Sequence, residues 1–294
     1  MAGTRRAVAG MAVAGSLAVA VACGSGASPS GKLRVVAAFY PLAWAARQVA
    51  PDADVEDLTP HGGEPHDLQL NARQRLDVQR AAFVFLLGRG FQPEVQRAAN
   101  DARGRVVDLL AGLSLLPSKE QGIAADPHVW LDPVLMKKIV GEIAERMATA
   151  DIPNGDGYRQ RASALEQTLA ALDDTYRSSL LRCSLKTIVT THEAFGYIAE
   201  EYGLRQIGLT GVTPEAEPSA AAIGRVHDAA RRGDVGAIFY EATDEGRRIG
   251  RSVASDVGLP ALPLNTLESD PAPQNYVSQM QANLTSLRRG LRCS

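Results

Sequence analysis

Residues 158–182 read YRQRASALEQTLAALDDTYRSSLLR. Ala162, Leu165, Leu169, Leu172, Tyr176 and Leu180 recur at steps of three and four, with neither Pro nor Gly between them. That spacing lays one apolar stripe along a helix, so the stretch predicts a single rod of about 25 residues, roughly 37 Å at 1.5 Å per residue. Residues 152–157, IPNGDG, form the break before it. On both sides of the rod, short apolar runs alternate with amphipathic stretches, the grammar of mainly parallel α/β architecture. Ahead of it, strands are expected at 33–38, 55–58, 82–87 and 105–109, with helices at 42–50, 72–80, 93–102 and 133–150. Met136, Ile139, Val140, Ile143 and Met147 form the stripe of the last of these helices. Beyond the rod, strands are expected at 186–191, 206–209, 237–240 and 261–264, and helices at 194–202, 218–232, 245–257 and 276–289. The chain therefore reads as an α/β protein of two similar lobes, each a mainly parallel sheet flanked by helices, at 32–152 and 184–294. One long rigid helix within 153–183 joins them, and such a rod limits hinge bending.

The remaining segment, 1–31, has a different composition. Arg5 and Arg6 precede an apolar, small-residue run over 7–22 that ends in Ala20-Val21-Ala22-Cys23, the order of an export signal at 1–22. The run is broken by Gly10 and Gly15 and falls short of the roughly 20 residues of a membrane-spanning helix. A small residue before Cys23, followed by GSGASPSG, resembles a bacterial lipobox with a flexible tether at 23–31. Ala20 stands where such boxes prefer Leu or Val, and plain cleavage without lipid is the alternative. The expected location is extracytoplasmic, anchored to the membrane through Cys23. Loss of Arg5 and Arg6 with the leader lowers Lys plus Arg from 31 to 29, against 33 Asp plus Glu, which leaves no basic surplus for nucleic acid. Of three cysteines, Cys183 and Cys293 remain for a disulfide in an oxidising compartment, with two free thiols as the alternative. The loop they would close is worth roughly 4–5 kcal/mol in the chain-entropy account.

Only five histidines occur, and three sit at or beside the ends of expected strands, where α/β sheets gather ligands. His66 lies in Gly63-Glu64-Pro65-His66-Asp67, His128 in Asp126-Pro127-His128-Val129-Trp130-Leu131-Asp132-Pro133, and His192 in Thr190-Thr191-His192-Glu193-Ala194-Phe195-Gly196-Tyr197. Three neutral imidazoles suit Zn²⁺. His61, Glu64 and Asp67 are candidates for supporting His66 or meeting an arriving ion. Asp126, Asp132 and Glu193 could orient imidazoles, although capping explains the two Asp-Pro pairs equally well. His227 reads as a surface residue.

These three segments, in this order around a long helix, resemble those of the zinc and manganese class of solute-binding proteins of ABC transporters. The later 211–219, GVTPEAEPS, and 238–241, IFYE, extend the resemblance from about residue 33 to the C-terminus. It implies one metal held between the lobes, with His66 and His128 from the first lobe and His192 from the second. It also implies a membrane permease as partner, a monomer, and no enzymatic activity. Manganese-selective relatives tend to have a carboxylate where this chain has His192, so zinc is favoured over Mn²⁺. For the fourth ligand the class usually supplies an Asp from the last strand, and Asn265 falls there. Glu241, a water, or a weakly held Asn265 are the options. Histidine ligation implies affinity that falls as the rings protonate below about pH 6.5.

Other readings fit less well. His192-Glu193 begins like a zinc-hydrolase helix but lacks the second histidine of H-E-x-x-H. A surface adhesin would find no adhesive repeat here. Another divalent metal of the same class, manganese first, is the nearest alternative.

Overall fold

The computed structural model describes residues 1, 3, 31–118, 120, 122–214 and 217–294. Residues 4–30, with the expected leader core and Cys23, lie outside the described residues. Met1–Gly31 form one unit and Lys32–Ser294 another; among the described residues, every strand and helix lies in the second.

Two four-stranded sheets carry the fold, and every ladder in them is parallel. The first contains β1 (Arg34–Ala37), β2 (Asp54–Asp57), β3 (Phe83–Leu86) and β4 (Arg105–Asp108) in the order β2-β1-β3-β4. The second contains β5 (Thr187–Thr190), β6 (Arg205–Gly208), β7 (Ile238–Tyr240) and β8 (Ala261–Pro263) in the order β6-β5-β7-β8, so the lobes repeat one topology. Central strand β3 is apolar throughout because helices cover both faces: all four of its residues are buried. Edge strand β2 instead carries Asp54, Glu56 and Asp57, charges that discourage pairing with another chain.

Helices connect these strands: α1 (Tyr40–Val49), α2 (Ala72–Arg80), α3 (Pro93–Ala99) and α4 (Pro133–Ala150) in the first lobe. The long helix α5 (Gly155–Leu181) follows, then α6 (Gly196–Glu201), α7 (Ala220–Arg232), α8 (Asp244–Val257) and α9 (Tyr276–Gly290). Their starts are written in the sequence: Asn71, Asp132, Ser219, Thr243 and Asn275 each accept a backbone N–H of the first turn.

The rod begins three residues before the periodicity predicts. A side chain at Gly155 would bring its Cβ to 3.1 Å from the Ala148 carbonyl oxygen, so glycine lets α4 and α5 turn tightly against each other, which outweighs its poor helix propensity. The stripe from Tyr158 to Leu180 is buried as expected. Helix α6 starts later than predicted, because residues 191–195 bond elsewhere: Glu193 N–H donates to the Gly211 carbonyl at 2.8 Å.

One apolar core runs through both lobes. Trp44 stacks on Tyr276 with centroids 4.6 Å apart, and the Tyr276 hydroxyl donates to the Trp130 carbonyl at 2.5 Å. The Trp130 indole N–H donates to the Thr266 carbonyl at 2.7 Å. Cys183 and Cys293 are joined in a disulfide across 110 residues, tying the end of α5 to the segment after α9.

Candidate metal centre

Four side chains converge where the carboxyl ends of the two sheets face each other. His66 lies between β2 and α2, and His128 between β4 and the 3-10 turn Val129–Leu131. His192 comes two residues after β5, and Glu268 sits between β8 and α9. His128 and Glu268 follow the corresponding strands of the repeated topology. His66 and His192 do not, since β5 corresponds to β1, so the centre is only half symmetric.

Their donor atoms all lie within 4.8 Å of one another, and all four residues are buried. Nε2 of His128 is 3.3 Å from Nε2 of His192. Oε1 of Glu268 is 3.3 Å from Nε2 of His128, and 3.6 Å from Nε2 of both His192 and His66. Four ligands held about 2.0–2.1 Å from a zinc ion occupy tetrahedral corners about 3.3–3.4 Å apart. The separations of Oε1 of Glu268 from the three rings and of His128 from His192, 3.3–3.6 Å, are close to those of such a shell. Oε1 of Glu268 and both ring nitrogens of His66 are buried without a hydrogen-bond partner. Each such atom costs about 1–3 kcal/mol unless a ligand meets it.

Carboxylates behind two of the rings fix their orientation. Asp126 lies 2.7 Å from Nδ1 of His128 and also accepts the His128 backbone N–H at 3.0 Å. Glu241 bonds Nδ1 of His192. A carboxylate accepts only, so in the neutral ring each Nδ1 carries the proton, which leaves the Nε2 lone pair for a cation. The Tyr197 hydroxyl, from the second lobe, donates to the Asp126 carbonyl at 2.7 Å and holds the turn that carries His128. Thr266 donates to Glu268 at 3.1 Å.

Residues 35–290 match the profile of the family described as zinc-uptake complex component A, periplasmic. The chain belongs to this family. It is 30% identical over 290 residues to the high-affinity zinc uptake system protein ZnuA of Bacillus subtilis, covering 91% of this chain and 90% of the relative. Among solved structures, it resembles the Zn(II)-bound ZnuA-like domain of AdcA from Streptococcus pneumoniae, with 30% identity and a TM-score of 0.76 over 89% of this chain and 99% of that one. It also resembles the laminin-binding protein Lmb of Streptococcus agalactiae, described as bifunctional with adhesin and metal transporting activity. There the identity is 27% and the TM-score 0.81, over 88% of this chain and 99% of that one. The zinc-uptake components are a family of transport proteins, not of enzymes.

Within this zinc-uptake fold, the fourth side chain of the cluster is Glu268, while the two protein residues favoured from sequence make other contacts. Glu241 is turned onto Nδ1 of His192, behind the ring. Asn265 spends its side-chain oxygen on the Leu267 backbone N–H at 2.7 Å, while Asn283 grips its backbone N–H and carbonyl at 2.9 and 2.6 Å. Leu267 then takes a left-handed φ of 58°, which turns the chain so that Glu268 enters the centre. Glu268 is the first carboxylate after β8, the one signal that could have found it.

The other expected helpers divide. Glu64 accepts the His66 backbone N–H at 3.0 Å and so supports the loop without touching the ring nitrogens. Asp132 caps α4 through Val134 N–H at 2.8 Å, and burial pushes its carboxyl up to about 6. Asp67, Glu193 and His61 are exposed, and His227 is half-buried on α7.

Protonation follows from these contacts. Burial works against a charged ring at His128, but the Asp126 charge and hydrogen bond outweigh it and raise the pKa above the ordinary 6.5. Burial is likewise overcome at His192, where Glu241 and Glu268 raise the pKa well above that value. Glu268 would be pushed up by burial, yet its contacts with His128, His192 and His66 hold it well below the ordinary carboxylate range.

Proposed function

We propose that this protein captures one Zn²⁺ outside the cytoplasm with Nε2 of His66, His128 and His192 and a carboxylate oxygen of Glu268, and delivers it to the membrane permease of an ABC importer. The observation that carries this reading is the tetrahedral spacing of three imidazole nitrogens and an unpartnered, buried carboxylate oxygen. Three neutral nitrogens and one carboxylate suit Zn²⁺ better than Mn²⁺, which prefers oxygen donors. One carboxylate also reduces the metal's charge to a net of about plus one, so the cation is not buried bare. Four protein donors close the shell. A hydrolytic zinc needs an open position for water, so the arrangement supports storage of the ion rather than catalysis.

The two lobes, 32–152 and 184–294, each supply two donors, and the helix between them keeps their spacing nearly constant. Capture therefore works by small loop movements and the loss of ring protons. Export through a leader at 1–22 and lipid attachment at Cys23 would hold the monomer beside its permease. Among the described residues, no helix is long and apolar enough to cross a membrane.

The test is metal content and a competition titration against a chromophoric chelator. One zinc per chain is expected for the unaltered protein and none for the triple variant His66→Ala, His128→Ala, His192→Ala. Undiminished loading of that variant would remove the reading. The likeness to Lmb supports adhesion as a second reading. Laminin binding that is equal with and without zinc would support it independently of transport.

A further inference from the structure

The centre is buried, so an ion must reach it by some path. A cavity of about 460 Å³ lies between loops of the two lobes, and its lining includes Glu268. One wall is formed by 61–64 of the first lobe, the other by 241–244 and 265–274 of the second. Five carboxylates, Glu64, Glu241, Asp244, Glu268 and Asp270, line it together with His61, and among the described residues no Lys or Arg does.

The lining grades from exposed to buried: His61 and Asp244 are exposed, Asp270 is half-buried, and Glu241 and Glu268 are each 5% exposed. At the inner end, Oε1 of Glu268 has no hydrogen-bond partner. The acidic lining thus includes Glu268, whose buried Oε1 lacks a hydrogen-bond partner and lies 3.3–3.6 Å from the three rings.

We propose that this cleft is the path by which the hydrated divalent cation reaches the centre, with His61 and Asp270 as its first contacts. The inference rests on the zinc-capture reading above and adds the route to it. Size is compatible. An ion with six waters occupies about 180 Å³ at about 30 Å³ per water, so it fits the cleft with its shell intact. Water is then shed stepwise against carboxylates until Glu268 and the three rings replace it. A cleft lined by one sign of charge between low-dielectric walls also concentrates the opposite ion and speeds its arrival.

The experiment is stopped-flow mixing of the metal-free protein with Zn²⁺, followed by tryptophan fluorescence. Trp130 is the reporter, its ring centroid 5.0 Å from that of His128. The double variant His61→Ala, Asp270→Asn keeps an acceptor for the Ala272 backbone N–H, which Asp270 now binds at 3.1 Å. It should bind one zinc per chain yet associate about three- to tenfold more slowly and with a weaker dependence on ionic strength. Asp101→Asn, an exposed carboxylate outside the cleft, should leave the rate unchanged. Asp244→Asn, on the opposite wall, gives the same reading should the double variant fold poorly.

An association rate within about twofold of the unaltered protein, or an equal slowing by Asp101→Asn, would overturn the route while leaving zinc capture intact. Failure of the unaltered protein to bind zinc would overturn both.

Discussion

His66 and His128 come from the same lobe and point at the same carboxylate oxygen, yet they are held by opposite means. His128 is fixed at both ring and backbone by Asp126, and Tyr197 of the other lobe steadies that turn. His66 has no hydrogen bond to either ring nitrogen; an edge-on contact with Phe91, centroids 4.7 Å apart, and the Glu64 bond to its backbone are what place it. One ring is oriented by charge, the other by packing and a bond to its own backbone. A ring fixed by a carboxylate is a better base and loses less freedom on binding. A ring fixed by packing can swing away at little cost.

The largest test of that contrast removes the ligands themselves. A structural zinc site worth about 10–16 kcal/mol over four ligands loses roughly 3–4 kcal/mol per ligand, or about a hundred- to a thousandfold in affinity. His128→Ala is expected at the upper end by competition titration and His66→Ala at the lower. Equal losses would erase the distinction between the two loops. Next in size is removal of the orienting charge. Asp126→Asn and Glu241→Gln should each weaken zinc about ten- to a hundredfold, whereas Glu64→Gln, which faces a backbone N–H, should cost no more than about threefold.

Proton competition gives a smaller effect with a definite sign. The carboxylates that orient His128 and His192 also raise their pKa values, so the rings keep their protons to higher pH. Zinc must displace those protons. Affinity should therefore fall as pH is lowered, and the fall should begin above pH 6.5, not below it as free histidine would suggest. Titrations between about pH 8 and pH 5.5 measure this, and in Asp126→Asn the decline should move to lower pH. A decline unmoved by that substitution would detach the proton effect from Asp126. Smallest of all, Asn265→Asp should leave zinc affinity within about threefold, because either side chain can accept the Leu267 N–H and neither faces the centre. Marked tightening would mean that Asn265 is a ligand position after all.

Much of this was legible before any coordinates. Periodicity located all eight strands and the long helix, because central parallel strands are apolar runs and the rod carries an uninterrupted stripe. The three histidines stood out through their motifs and their places after strands. Three things were not legible. The start of α5 at Gly155 depends on a close approach to Ala148, a tertiary contact with no local signature. The late start of α6 depends on the bond from Glu193 to Gly211 in another loop. Glu268 was hidden by a turn: Leu267 at positive φ, with Asn265 and Asn283 clamping the chain, shifts the donor three residues beyond where a strand-end alignment looks.

The bond from the Trp130 indole to the Thr266 carbonyl has a bearing on unloading. Pulling the two halves apart to free the cargo would break that bond, the Tyr276 bond to Trp130, the Tyr197 bond to Asp126 and the apolar core at once. Peeling back the short strap around His66 would break the hydrogen bond across the seam from Gly62 N–H to the Ser269 hydroxyl at 3.2 Å and leave the bonds of the apolar seam in place. On the transport reading, a permease that empties this protein would therefore work on the strap before the seam.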